Sequence, residues 1–258
     1  MKKNNIVITG CLGRMGKLLT KCVIKDKKLK LSGLTENIKI PNKIHGILPQ
    51  SNNDQVFNKA DIIIDFTIPK STIDVLKIAK KLKKKVVIGT TGFTDKEQTF
   101  INKVSKSIPI LQSGNMSLGI NLMQFISKIL SKGFSSDYEI EIHDAHHKKK
   151  VDYPSGTALM LGHALAAGKN KKFKQIKGRI FLNKKGKGKV KRLNFYIIRQ
   201  GKIPGTHSVI FKNNQETLEI KHTAHSRNLF AEGAINAAKW LANKKPGLYN
   251  MHHVLGIK

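Results

Sequence analysis

Three glycines spaced three residues apart, within the segment IVITGCLGRMG at 6–16, place the strongest constraint on how this chain can fold. The apolar run before Gly10 is typical of a short buried strand. After Gly16 the apolar residues recur with the spacing of an amphipathic helix. A tight glycine turn between a buried strand and a helix starts a βαβ unit of a parallel sheet. The segment therefore predicts an α/β fold.

Strand and helix patterns continue to alternate as far as residue 117. Further strands are expected at 29–35, within 60–67, at 85–92 and at 109–115, and a helix at about 95–106. Ser71 is expected to cap the helix after the third strand. The alternation predicts a Rossmann-type doubly wound parallel sheet, with a dinucleotide-binding domain over 1–117.

The pattern after residue 117 is that of a second, α+β domain with a mixed or antiparallel sheet, over 118–227. A helix at 118–130 precedes a half-solvated strand around 138–147, a helix ending near Gly168, and strand-like runs between 178 and 225. The helical segment that opens 228–258 is expected to return to the first domain. The lysine- and glycine-rich segment 184–192 is the expected mobile loop.

The formal charge of +32, from 48 Lys and Arg against 16 Asp and Glu, raises the possibility of a nucleic-acid partner. The basic residues are spread over the whole length, and no aromatic residues interleave with them as a base-stacking surface requires. Codon bias of an AT-rich genome is the favoured explanation, so no nucleic-acid partner is expected. No apolar run is long enough to span a bilayer, which predicts a cytoplasmic protein without a membrane partner.

The glycine turn has the features of a nucleotide phosphate site. Gly10 would permit the tight turn, Gly13 the close approach of a pyrophosphate, and Gly16 the packing of the helix on the sheet. Leu12 stands where the common fingerprint has its second glycine. Glu36 lies twenty residues beyond Gly16, at the end of the second strand, where an acidic side chain holds the adenosine ribose hydroxyls.

The residues around Glu36 favour NADH over NADPH. Its carboxylate would repel a 2′-phosphate, and Asn37 brings no positive charge. Arg14 and Lys39 are near enough in sequence to leave NADPH open. Two more segments of small residues, 89–92 and 113–116, follow strands at the sheet edge where ligands bind, and would accommodate the nicotinamide and its ribose.

A second group of polar residues occurs in DAHHKKKVDYPSGTAL, at 144–159. His146 and Lys150 are two proton donors, and a helix starting at Gly156 and Thr157 offers backbone N–H groups to a carboxylate. Such a site suits the reduction of an unsaturated dicarboxylate.

The same stretch also allows two other interpretations. A solvated basic loop would explain the lysines, and a metal could be bound by residues taken from His143, Asp144, His146 and His147. Neighbouring residues of a strand point to opposite faces, however, so the adjacent histidines are poorly placed to share an ion. No metal is predicted.

The motif HDAHHKKKVDYPSGTAL resembles the signature of the 4-hydroxy-tetrahydrodipicolinate reductase (dihydrodipicolinate reductase) family. Further segments of the same resemblance cover nearly the whole chain: GRMG at 13–16, IDFTIP at 64–69, VIGTTGF at 87–93, NMSLGIN at 115–121, R-x-G-x-x-x-G-x-H at 199–207 and FAEGA at 230–234. The resemblance implies hydride transfer from NAD(P)H to 4-hydroxy-tetrahydrodipicolinate with loss of water, in the diaminopimelate route to lysine. It also implies a homotetramer formed through the second domain.

The resemblance assigns roles residue by residue. It implies His146 as the acid/base group and Lys150 as a proton donor, with His147, Gly156 and Thr157 binding the substrate. The implied cofactor contacts are Gly10, Cys11, Leu12, Gly13, Arg14, Met15, Glu36, Gly89, Thr90, Thr91, Ser113, Gly114, Asn115 and Met116. Asn37 departs from relatives that carry an arginine there, and Met116 replaces a common phenylalanine.

Three other functions remain as alternatives. An aldehyde-type dehydrogenase would need a nucleophilic cysteine, and neither Cys11 nor Cys22 lies near the second-domain motif. A basic nucleic-acid-binding protein on an α/β scaffold would show salt-dependent DNA retention that dinucleotide does not affect. A cofactor-binding sensor without chemistry would not need the pair His146 and Lys150.

Overall fold

The computed structural model describes residues 3–183, 186 and 192–257. It divides into two compact units, one of Met1–Ser117 with Asn228–Lys258 and the other of Leu118–Arg227. The segment 184–192, the expected mobile loop, lies outside the described residues except for Gly186 and Arg192. Among the described residues, no helix has both the length and the apolar character needed to cross a bilayer.

The helices and strands follow one another in three stretches of the chain. The first holds β1 (Asn4–Thr9), α1 (Arg14–Lys25), β2 (Leu29–Thr35), α2 (Asp54–Asn58), β3 (Ile62–Asp65), α3 (Pro69–Lys81), β4 (Lys85–Ile88), α4 (Asp95–Ser105) and β5 (Pro109–Gln112). The second holds α5 (Leu118–Gly133), β6 (Glu139–His146), α6 (Gly156–Gly168), α7 (Phe173–Ile176), β7 (Lys177–Leu182), β8 (Leu193–Arg199), β9 (Gly205–Lys212) and β10 (Thr217–Ala224). The third holds α8 (Asn228–Leu241), β11 (Gly247–Tyr249) and α9 (Met251–Leu255).

The first unit is built on a parallel sheet with strand order β11-β5-β4-β3-β1-β2. Every residue of β3 is buried, as expected for a strand covered by helices on both faces. One apolar cluster joins the sheet to α1 and α8, and a second joins its other face to α3 and α4. The predicted Rossmann-type doubly wound sheet is confirmed.

The C-terminal helix packs closely within the first unit. A Cβ atom at Gly233 of α8 would lie 1.8 Å from the carbonyl oxygen of Met116, so only glycine allows the backbones to approach this far. Ala234, Ala237 and Ala238 complete the buried face of the helix. The helix is therefore held in the first unit by close backbone packing and by a face of small residues.

One local prediction in the first unit is wrong. Ser71 does not cap α3, because the helix begins two residues earlier, at Pro69, with Ile68 at the N-cap. Proline suits the first helical position, since its fixed φ angle is helical and its missing N–H would have no partner within the helix. Ser71 thus lies inside the first turn.

The second unit contains a mixed sheet, one of the two kinds predicted, and its strand order is β10-β9-β6-β8-β7. Its central strand β6 runs antiparallel to β9 and parallel to β8. Ile140 and Ile142 pack in the apolar cluster with residues of α5 and α6. Glu141 points to the other face, which the alternation predicted to be solvated, but it is buried against Lys212 and His143, whose side-chain nitrogens lie 2.6 and 2.9 Å from its carboxylate.

Gly168 is the last residue of α6, the helix that was expected to end near it. It does not adopt a left-handed capping conformation; the positive φ angle falls at Asn170. A Cβ at Gly168 would lie 2.3 Å from the carbonyl oxygen of Lys128, so the glycine permits α6 to pack closely on α5.

Candidate active site

The second unit contains a buried carboxylate surrounded by cationic and polar groups. Asp144 of β6 is 0% exposed. Its Oδ1 lies 2.8 Å from Nδ1 of His146 and 3.4 Å from Nε2 of His207. The two imidazole rings meet edge to face, with centroids 5.0 Å apart. One carboxylate oxygen therefore lies close to a ring nitrogen of each of the two histidines.

The other carboxylate oxygen is held by two donors. Oδ2 of Asp144 accepts a hydrogen bond from the backbone N–H of Ser155 at 2.8 Å and one from Nη2 of Arg199 at 3.2 Å. Arg199 also donates from Nη1 to the carbonyl oxygen of Asp144 at 3.0 Å. The hydroxyl of Ser155 accepts from the Ala158 N–H and so caps α6. The carboxylate thus links the central strand to the N-terminus of α6.

The register of the sheet brings these residues together. Asp144 lies opposite His207 of β9 on one side and opposite Ile197 of β8 on the other, and His146 lies opposite Arg199. Directly opposed residues of neighbouring strands project to the same side of the sheet. The motif at 199–207 therefore supplies both the arginine and the second histidine of the cluster.

Burial and contact oppose each other at Asp144. Burial by itself raises the pKa of the Asp144 carboxyl, but the contacts from His146, from His207 and from the Ser155 N–H outweigh it and hold that pKa well below the usual range. At His207, burial lowers the pKa of the ring although Asp144 opposes the shift. The cluster at neutral pH therefore contains an ionised Asp144 and a neutral His207.

The loop after β6 carries the second predicted proton donor. Nζ of Lys150 contacts both carboxylate oxygens of Asp152, at 2.8 and 2.9 Å. Burial raises the pKa of Asp152, but the Lys150 contact outweighs it and lowers the pKa. The backbone N–H of His147 donates to the carbonyl of Ile203 at 2.8 Å, which ties the loop to the segment before β9. Asp152 was not predicted as a partner of Lys150.

The structure brings some of the predicted site residues together. His146 joins the Asp144 cluster, and Gly156 and Thr157 form the first turn of α6 beside the capping Ser155. Asp144 was considered in the sequence only as a metal ligand. The partners that sequence reasoning missed are Arg199 and His207, and the signal that could have revealed them was their spacing in R-x-G-x-x-x-G-x-H.

Donor atoms of Asp144, His146 and His207 all lie within 4.8 Å of one another, a spacing that a metal ion could use. Arg199 already supplies a positive charge to the same carboxylate, at 3.2 Å. A metal cation bound there would be repelled by the guanidinium group of Arg199. The arrangement therefore favours an ion pair between side chains over a metal site.

The glycine turn of the first unit has the shape that a phosphate group needs. Gly10 has a φ angle of +61°, and a Cβ there would lie 2.8 Å from Cγ2 of Thr67. A Cβ at Gly16 would lie 2.1 Å from the carbonyl oxygen of Gly10, so α1 packs directly on the turn. Gly13 caps α1 without a side chain, and no acidic residue occupies the first turn. These features fit an anionic pyrophosphate at the helix N-terminus.

The side chain of Glu36 reaches this turn. Its Oε2 accepts from the Leu12 N–H and its Oε1 from the Asn37 N–H, each at 3.0 Å. The carboxylate is thus held at the edge of the turn. Cys11 is buried, and burial, with a contribution from Glu36, raises the pKa of its thiol. The thiol is therefore protonated at neutral pH, unlike a catalytic nucleophile.

The remaining cofactor candidates follow β4 and β5. A Cβ at Gly89 would lie 2.2 Å from the Phe66 ring, Thr90 is buried, and Gly114 is exposed. The hydroxyl of Ser113 donates to the carbonyl of Asn115 at 2.7 Å and so shapes the second segment. The side chain of Met116 is only 1% exposed and belongs to the apolar core.

Comparison with known proteins places the chain in a family. The family model described as "Dihydrodipicolinate reductase, N-terminus" matches residues 4–116, and the one described as "Dihydrodipicolinate reductase, C-terminus" matches residues 119–255. A 4-hydroxy-tetrahydrodipicolinate reductase of Pelagibacter ubique (strain HTCC1062) is 52% identical over 258 residues and covers 100% of both chains. One from Buchnera aphidicola subsp. Cinara cedri is 41% identical and covers 98% of this chain and 97% of its own.

Solved structures show the same fold. The dipicolinate-bound dihydrodipicolinate reductase from Paenisporosarcina sp. TG-14 superposes with a TM-score of 0.78 at 20% identity, covering 96% of this chain and 97% of its own. The scyllo-inositol dehydrogenase of Lactobacillus casei with bound NAD(H) has a TM-score of 0.58 at 12% identity, covering 94% and 88%. The resemblance drawn from the motifs is confirmed. The chain belongs to the dihydrodipicolinate reductase family, and it is therefore an oxidoreductase with a domain of the pyridine-nucleotide-binding type.

Proposed function

We propose that this chain reduces 4-hydroxy-tetrahydrodipicolinate to tetrahydrodipicolinate with NAD(P)H, in the diaminopimelate route to lysine. Its full-length relatives carry the name of that activity. The observation that carries the proposal is the Asp144 cluster, which orients His146 beside the N-terminus of α6. Proton donors next to an anion site are what the reduction of a dicarboxylate with loss of water requires.

A bound pyridine nucleotide would supply a hydride, and side chains of the protein would transfer protons to and from the substrate. In net terms one hydride and one proton enter, and the hydroxyl group of the substrate leaves as water. Asp144 contacts Nδ1 of His146, so Nε2 is the ring nitrogen that exchanges a proton with substrate. Gly205 leaves room beside it, because a Cβ there would lie 3.0 Å from Nε2. Lys150 is the second donor, and substrate binding would separate it from Asp152.

The substrate carboxylates are assigned to His147 and to the first turn of α6. Gly156 and Thr157 present backbone N–H groups at the positive end of a 13-residue helix that has no acidic residue in its first turn. Ser155 fixes the start of the helix while bonded to Asp144. The carboxylate site and the acid/base histidine are therefore coupled through one residue.

NADH is the proposed preferred cofactor. The support is Glu36, whose carboxylate is held at the edge of the glycine turn by the N–H groups of Leu12 and Asn37. There it would bind ribose hydroxyls and repel a 2′-phosphate. The further cofactor contacts are those named from the resemblance, at 10–15, 89–91 and 113–116.

The active form is proposed to be a cytoplasmic homotetramer assembled through the second unit. The face of its sheet that carries Glu141, Tyr196 and Lys212 lines a cavity of about 680 Å³, and Ile198 beside it is exposed. A second copy covering this face would bury Tyr196, Ile198 and Lys212, which are exposed or half-buried in the single chain. Light scattering on the purified protein tests the assembly: a mass of four chains supports it, and a monomer contradicts it.

The experiment that tests the reaction is oxidation of NADH or NADPH by the purified protein. The labile substrate is made in situ from pyruvate and aspartate semialdehyde by a coupling synthase. Oxidation that depends on the synthase, and that is faster with NADH, is the expected result. NADH binding without turnover would favour the sensor alternative, and faster turnover with NADPH would overturn the cofactor assignment.

A further inference from the structure

A second buried carboxyl group lies under the cofactor segments of the first unit. Asp65, at the end of β3, is 0% exposed. Its Oδ1 accepts from the hydroxyls of Thr9 and Thr67, the latter at 2.8 Å. Its Oδ2 accepts from the hydroxyls of Thr72 and Thr90, at 2.5 and 3.0 Å. Four threonines therefore converge on one side chain.

The parallel strands explain this convergence. Thr9 ends β1 directly beside Asp65, and Asp65 pairs in turn with Ile88 at the end of β4, two residues before Thr90. Thr67 follows β3, and Thr72 comes from the first turns of α3. Carboxyl ends of parallel strands form the ligand-binding edge of such a sheet.

Two of the four contacts lead to residues assigned to the cofactor. The hydroxyl of Thr90 donates to Asp65 and accepts from the backbone N–H of Thr67 at 3.0 Å. These two hydrogen bonds fix the orientation of the hydroxyl group. The Thr67 side chain, fixed by its own bond to Asp65, lies against the glycine turn, since a Cβ at Gly10 would be 2.8 Å from Thr67 Cγ2. Asp65 thus touches the cofactor segments through Thr67 and Thr90.

We infer that Asp65 is a positioning residue for the cofactor: through Thr67 and Thr90 it sets the glycine turn and the segment after β4 in the conformation that binds the nucleotide. This inference rests on the proposed function, since it presumes that these segments bind NADH. It goes beyond it by assigning a residue that does not itself touch the cofactor. The competing explanation is that Asp65 only ties the strands and α3 together.

Thr67 and Thr72 provide a matched pair of variants. Each donates its hydroxyl to Asp65. The Thr72 hydroxyl also contacts the carbonyl of Ile68 within α3, whereas Thr67 leads to the cofactor segments. Thr67→Val and Thr72→Val each place a methyl group against an Asp65 oxygen. Thr67→Ser keeps the hydroxyl. The readouts are the Kd for NADH from nucleotide fluorescence, the Kd for dipicolinate, and the melting temperature of the full-length protein.

The inference predicts that Thr67→Val and Asp65→Asn raise the Kd for NADH about tenfold or more. Thr67→Ser should restore it to within about threefold of wild type, and Thr72→Val should lower the melting temperature while leaving that Kd within about twofold. Dipicolinate binding should be unchanged throughout, because its proposed site lies in the other unit.

The inference is overturned if Thr67→Val binds NADH as wild type does, or if Thr72→Val weakens NADH binding as much as Thr67→Val. Either result would mean that Asp65 only holds the strands and α3 together. If the wild-type protein still binds NADH, the proposed function is unaffected by such a result. Failure of the wild-type protein itself to bind NADH would overturn the proposed function and this inference together.

Discussion

Nδ1 of His146 lies 2.8 Å from Oδ1 of Asp144, and both residues are buried, His146 with 8% of its surface exposed. This contact fixes which ring nitrogen faces the carboxylate and leaves Nε2 for chemistry. Arg199 and the Ser155 N–H hold the other oxygen of Asp144, so the carboxylate cannot turn away. The proposed acid/base residue is therefore oriented by a partner that the sheet register brings to it.

Asp144→Asn should lower kcat by about 100-fold or more, because a neutral amide offers no negative charge to the His146 ring when that ring exchanges a proton with substrate. It should also destabilise the fold by about 3 kcal/mol or more, because the buried guanidinium group of Arg199 would lose the negative charge with which it pairs. Steady-state kinetics and thermal unfolding measure the two effects. The Kd for NADH should not change; a variant with near-normal kcat would contradict the role given to Asp144.

Lys150→Ala should lower kcat about 100-fold while changing the Kd for NADH by less than about twofold, since the lysine is assigned to proton transfer. Asp152→Asn is its control, because it removes the ion-pair partner and keeps the lysine. That variant should retain kcat within about threefold and lower the KM for the anionic substrate. Equal losses of kcat in both variants would mean that the ion pair, rather than the lysine, is what the enzyme needs.

The pH dependence of stability should reflect His207. Burial lowers the pKa of this ring in the folded state, whereas in the unfolded chain it binds protons near its ordinary pKa of about 6.5. The unfolded state therefore binds more protons below that pH, and stability should fall as the pH decreases through about 6.5. Chemical denaturation between pH 8 and pH 5 should show a shallower decline for His207→Gln than for wild type. His163→Gln, at an exposed position, should keep the wild-type slope.

Gly10→Ala should destabilise the protein by more than about 1 kcal/mol and weaken NADH binding, because the new Cβ meets Thr67 Cγ2 at a residue with positive φ. Gly46→Ala separates the two causes. Gly46 also has a positive φ angle, of +80°, but nothing lies within 4 Å of its Cβ position. It should cost about 1 kcal/mol of backbone strain and leave NADH binding unchanged. Equal NADH affinity in the two variants would contradict the assignment of Gly10 to the cofactor site.

The fold of the first unit was predictable because its signals are local. A buried strand, a glycine turn and an amphipathic helix follow one another at 6–25, and Glu36 directly follows the next strand. The capping of α3 was not predictable from Ser71 alone, because Pro69 competes for the start of the helix and has the stronger preference.

The candidate site was predictable only in part, because its residues meet through strand pairing. His146 and Gly156 lie in one short motif, so their proximity could be predicted from the local sequence. Arg199 and His207 reach Asp144 from two other strands. The register in which these strands pair with β6 cannot be deduced from local sequence patterns. Asp65 was likewise predicted only as part of a buried strand. Its four threonine partners come together in the folded protein, where three parallel strands end side by side.

The role of the Asp144 cluster is tested most directly by comparing wild-type protein with His146→Gln in the synthase-coupled assay at saturating NADH. We expect rapid oxidation of NADH by the wild type and a kcat lowered about 100-fold or more in His146→Gln, with the Kd for NADH within about twofold of wild type. A His146→Gln variant that keeps most of the wild-type kcat would contradict the assignment of the Asp144 cluster as the catalytic centre.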